Sequence, residues 1–133
     1  MEILTLKKRK YFVEAAKGYK AVTNGVVIQA ALRLPCADFP PSAIACGYTA
    51  TKKLGKAHLR NYTKRRLREV ARALLPVGGV AGVNYVFIGR HNTTTLNFAY
   101  LQRKAAAALQ DINRQIVDDI AQKNAQVPDN TTD

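Results

Sequence analysis

Acidic side chains are scarce in this 133-residue sequence: nine Asp and Glu stand against 21 Lys and Arg, for a net charge of +12. Only four acids, Glu2, Glu14, Asp38 and Glu69, fall between Met1 and Gln110, a stretch that holds 19 of the bases and carries +15. A small solvated domain usually keeps a net charge of magnitude about 2–8, so this excess points to a polyanionic partner. Four scattered carboxylates also argue against protein-borne, metal-dependent phosphodiester cleavage, which needs a clustered set. The two histidines, His58 and His91, are 33 positions apart and form no acid–base pair. No catalytic residue and no metal site is expected in the protein.

Cysteine is scarcer still. Cys36 and Cys46 are too few to staple a secreted fold, match no zinc-ligand spacing with the histidines, and are expected as reduced, half-buried thiols. No run approaches the roughly 18 apolar residues of a membrane span. The start, MEILTLKKRK, places its basic cluster after a very short apolar stretch, the reverse of a secretory signal. A soluble, cytoplasmic protein without a membrane partner is expected. One domain over residues 1–121, then a polar, frayed tail over 122–133, fits the length and composition.

What is present divides into a few elements. LKKRKYFVEAAKGYK, Leu6 to Lys20, reads as a short helix closed by Gly18, with Phe12, Val13 and Ala16 toward the core. Asn24-Gly25 is a turn, and Val26 to Leu34 a strand. PCADFPP interrupts it, and Ser42 to Thr51 reads as a second strand, antiparallel to the first because the connection is short. A basic helix follows, stopped by Pro76 and three glycines; Val83 to Arg90 reads as a buried strand. A last helix runs from about Phe98 to Lys123, with Thr95 or Asn97 as its N-cap. The order helix, two strands, helix, strand, helix, with room for an extra strand, describes an α+β fold: an α/β sandwich with helices packed on one small mixed sheet.

Lys52 to Arg72 concentrates the charge, with nine Lys or Arg and one acid, Glu69. On a wheel, Thr63, Leu67, Val70, Ala71 and Leu74 form a packing stripe, while Arg60, Lys64, Arg68 and Arg72 follow i, i+4 spacing on another side. Adjacent like charges there repel by about 0.2–0.5 kcal/mol each, and a helix selected for stability alone would interleave acids. A solvated face and a phosphate-binding face both fit the pattern; the lack of acids and the abundance of arginine favour phosphate. The apolar stripe is wide enough to pack on a sheet and too narrow for an interfacial membrane helix. Phe12 fits equally as a core or a contact residue, and Tyr48, Tyr85, Phe87 and Ile88 read as strand core. Lys7 to Lys10 fits a solvated arm or a phosphate contact.

The run TKKLGKAHLRNYTKRRLRE resembles the signature of the bacterial ribonuclease P protein component. LKKRKYFVEAAKG is similar to that family's first helix, and YVFIGRHNTTTLNFAYL to its last strand and the entry to its last helix. The resemblance leaves only the acidic tail, from Asp111 onward, outside. It implies a protein subunit of ribonuclease P, a tRNA-processing ribonucleoprotein endoribonuclease whose chemistry is carried by RNA and Mg²⁺. The implied partners are ribonuclease P RNA, bound 1:1, and precursor tRNA. The implied contacts to the catalytic RNA are Lys52, Lys53, Lys56, Arg60, Asn61, Tyr62, Lys64, Arg65 and Arg68. Phe12 and Gln29 would meet the 5′ leader, and a left-handed crossover would place the basic helix. Three positions depart from the family pattern. Tyr62 stands where the signature carries a second arginine, and could stack on a base or ribose instead. Ala16 stands where many members carry a second aromatic and Gln29 where some carry a tyrosine, which shifts leader binding toward charge and backbone contacts. A ribosomal or other structural RNA-binding protein, or a DNA-binding regulator, would share the charge but not this signature.

Overall fold

The computed structural model describes residues 2–126. Five strands, β1 (Ile3–Thr5), β2 (Tyr19–Thr23), β3 (Val26–Leu32), β4 (Ile44–Thr49) and β5 (Val83–Gly89), form one mixed sheet in the order β1-β4-β5-β3-β2. Three helices accompany it: α1 (Arg9–Ala16), α2 (Ala57–Gly78) and α3 (Phe98–Gln126). The expected α+β class stands, with two short strands that the sequence pattern hid. β1 has three residues, too few to show alternation, and β2 lies where the sequence resembles the end of a helix and the approach to a turn. In fact α1 stops at Ala16. Asn24-Gly25 then closes a two-residue hairpin, with Thr23 paired to Val26 and Gly25 at φ +102°.

The connection from β3 to β4 departs most from expectation. β4 runs opposite in direction to β3, but the two are not neighbours. β5 lies between them, antiparallel to β3 and parallel to β4. Arg33, just past β3, directs the chain across the sheet end: its guanidinium donates to Asn84 Oδ1 at 2.7 Å, to the Pro40 carbonyl at 2.9 Å and to the Ala43 carbonyl at 2.7 Å. Parallel neighbours need a long crossover, and here α2 supplies it from β4 to β5.

One sheet face buries the main core. Val26, Ile28 and Ala30 alternate inward from β3, as Val83, Tyr85 and Phe87 do from β5, to meet Leu67, Val70, Ala71 and Leu75 of α2 and the alanine-rich stripe of α3. Leu74, expected on that stripe, is half-buried at its edge, and Leu75 takes the core position. Pro76 does not stop α2; it sits in the last turn, and the Gly79 N–H reaches the Leu75 carbonyl at 2.8 Å. Tyr85 is fully buried with its hydroxyl satisfied, donating to Asn113 Oδ1 at 2.8 Å and accepting from the Val80 N–H at 2.9 Å. Burial pushes its pKa up to about 12. Asn97 caps α3 through the Ala99 N–H at 2.9 Å. The helix continues to Gln126, into the segment expected as a tail; residues 127–133 lie outside the described residues.

The second sheet face carries α1 alone. Its buried residues are Tyr11 and Ala15, packed on Leu6, Ala45 and Val86. Phe12 is half-buried, while Val13 and Ala16 are exposed, one position round from the expected register. Tyr11 donates to Asp38, which also pairs with Lys8 at 3.0 Å; the Tyr11 bond and then Lys8 hold that carboxyl below its usual range. One of the body's four acids therefore pins a loop to α1. Cys36 is half-buried and Cys46 fully buried, and both are free thiols.

Candidate nucleic-acid interface

Thr51 leads into a single 3₁₀ turn, Lys52–Leu54, and Gly55 at φ +113° redirects the chain into α2. That backbone conformation suits glycine. Lys52, Lys53 and Lys56 are exposed around this entry, and Lys56 occupies the N-cap position without a side-chain cap bond. Arg60 is half-buried because Nη1 donates to the Gly55 carbonyl at 2.6 Å, which locks the entry. No acid lies in the first turn, so the free N–H groups and the helix dipole are left available to an anion.

Further along, α2 presents a hollow of about 460 Å³ lined by His58, Asn61, Tyr62, Lys64, Arg65 and Arg68. Five of the nine residues expected on the catalytic RNA thus meet in one concavity. Among the described residues only two ion pairs form, Lys8 with Asp38 and Lys123 with Asp119, and neither involves α2. The like-charge repulsion along this helix is therefore not offset by any ion pair among the described residues.

A second groove, of about 340 Å³, runs between α1 and the edge of β4. It is lined by Arg9, Phe12, Tyr48, Thr49, Ala50 and Lys64. It opens because β1 pairs only with Ile44 to Cys46, leaving the later residues of β4 uncovered on that side. Phe12 settles there on Gly47, where a Cβ would fall 2.5 Å from its ring. Tyr48 turns toward α2 beneath Arg68, whose guanidinium lies 5.3 Å from its ring. Burial raises the tyrosine pKa above its ordinary range. Lys64 borders both concavities. Gln29 does not line this groove. It lies farther across the same sheet face, paired with Lys20 and Val86.

Sequence reasoning missed two parts of this surface. Tyr48 helps to build the groove although it reads as strand core, and Arg9 lines it too, from a cluster that fits either a solvated arm or a phosphate contact. Arg66 is engaged within the fold: Nη1 donates to the Thr93 and Leu96 carbonyls at 2.8 Å each, tying α2 to the loop before α3. No signal on the helix marks this, since both acceptors lie far along the chain, beyond β5.

Comparison with known proteins gives a consistent result. A family model described as Ribonuclease P matches residues 2–113. The chain is 42% identical over 104 residues to the ribonuclease P protein component of Caulobacter vibrioides (strain NA1000 / CB15N), covering 78% of this chain and 67% of that protein. It is 43% identical over 97 residues to that of Gluconacetobacter diazotrophicus, covering 72% and 79%. Its fold is similar to the Staphylococcus aureus RNase P protein, with a TM-score of 0.62 at 22% identity, covering 80% of this chain and 92% of that one. The Thermotoga maritima RNase P protein gives a TM-score of 0.61 at 22% identity, covering 80% and 91%.

Proposed function

The chain belongs to the ribonuclease P protein family, the RNA-binding subunit of a tRNA-processing ribonucleoprotein endoribonuclease, and from that premise we propose that its two concavities divide the work. The α2 hollow and its entry, with Lys52, Lys53, Lys56, Arg60, Asn61, Tyr62, Lys64, Arg65 and Arg68, meet ribonuclease P RNA in a 1:1 complex. The α1–β4 groove, continued across the open sheet face, receives the single-stranded 5′ leader of precursor tRNA. Phe12 supplies an aromatic face and Gln29 a polar contact farther along. The supporting observation is the placement of Lys64 on both concavities, which makes the two RNA surfaces contiguous.

Chemistry falls to the RNA. Among the described residues there is no group of three or more His, Cys, Asp or Glu that could hold a metal, and in this reading Mg²⁺ is held mainly by the RNA. The protein contributes positioning and charge neutralisation, each bound phosphate releasing counterions. No helix among the described residues is long and apolar enough to cross a membrane, and the proposed compartment is the cytoplasm.

The leader contact is tested by comparing the affinity of the assembled holoenzyme for precursor tRNA and for mature tRNA. We expect tighter binding of the precursor, a difference that narrows in Phe12→Ala and Arg9→Ala holoenzymes. Equal affinity of the wild-type holoenzyme for both tRNAs would sink the leader assignment.

A further inference from the structure

Tyr62 breaks the arginine pattern of its own helix, and its surroundings indicate why a ring is used there. Two cations one turn further on lie over its ring, Arg65 at 5.1 Å and Arg66 at 5.8 Å from the centroid. The two differ in freedom. Arg66 is bonded to two backbone carbonyls and also lies 5.6 Å from the Phe98 ring, so it is a fixed support. Arg65 is exposed. Tyr62 itself remains 39% exposed on the wall of the α2 hollow.

We propose that Tyr62 is a stacking platform for one unpaired nucleobase of the bound RNA, held in the α2 hollow against a ring braced by Arg66. This rests on the RNA-binding role assigned above to α2 and specifies how one position performs it. An unstacked base with its sugar and phosphate suits a cationic, aromatic-walled concavity. The base takes the place of Arg65 against the ring. The guanidinium so released turns to the adjoining phosphate, which it can grip with two bonds. A phosphate contact expected of an arginine at this position is thus supplied from one turn on, and the ring adds an interaction that is insensitive to salt.

The test measures binding of the wild-type protein and of Tyr62→Phe, Tyr62→Ala and Tyr62→Arg to a bacterial ribonuclease P RNA over a series of salt concentrations. Stacking predicts that Phe binds like wild type, that Ala binds roughly five- to a hundredfold more weakly, and that Ala leaves the salt slope unchanged. Arg should steepen the slope by about 1. Matching thermal denaturation of the four proteins separates these effects from misfolding. If wild type binds and Ala binds equally well, or if Ala flattens the slope as a lost phosphate contact would, stacking is wrong while the RNA-binding role stands. If wild type fails to bind the RNA, both fall.

Discussion

Arg66 and Lys64 are two cations on one helix with different tasks, and only their neighbours distinguish them. Lys64 borders both concavities, whereas Arg66 is spent on the Thr93 and Leu96 carbonyls. Lys64→Ala should reduce the magnitude of the RNA-binding salt slope by about 1 and leave stability within about 0.5 kcal/mol. Arg66→Ala should leave the slope unchanged, and by stranding two carbonyls it should cost about 1–3 kcal/mol in denaturant unfolding. The reverse pattern would overturn the division. At this scale the site was legible where chemistry alone speaks. Spacing and motif group Asn61, Lys64, Arg65 and Arg68 on one outer face, and the four meet in the α2 hollow. Arg66 could not be placed this way, because its role depends on a loop distant in sequence.

Two glycines fix how closely the helices approach the sheet. Gly89 of β5 lies against the Thr63 methyl of α2, and Gly47 of β4 against the Phe12 ring of α1. Gly89→Ala would drive a Cβ into Thr63 and lift α2 from β5. We expect a loss of about 1–3 kcal/mol, read as a lower Tm; an unchanged Tm would show that the helix does not sit this close. The elements themselves were largely readable, since α2, α3 and the strands β3 and β5 carry strong periodic patterns. The pairing of β4 was not. So short a connection, Arg33 to Ala43, suggests a hairpin, yet the Arg33 bonds carry it past β5, and no local pattern encodes that long-range choice. The α1 register failed for a related reason: Phe12 is held at the rim by Gly47, on a strand distant in sequence.

Over the whole molecule the charge is divided. Met1 to Gln110 carries +15, whereas the following segment holds five Asp against Arg114 and Lys123. Asp119 of that segment accepts a hydrogen bond from the Tyr19 hydroxyl at 2.6 Å and lies 3.4 Å from Lys123, so it serves the attachment of α3 to β2. The cations of α2 have no ion pair of their own among the described residues, and in the proposed reading they substitute for counterions on RNA. That substitution is most valuable where Mg²⁺ is scarce. The direct measurement is the rate of 5′ leader removal from precursor tRNA by a bacterial ribonuclease P RNA, with and without this protein, at a Mg²⁺ concentration too low for the RNA alone. We expect the protein to restore cleavage, with a benefit that shrinks as Mg²⁺ is raised; identical rates with and without it would contradict the account.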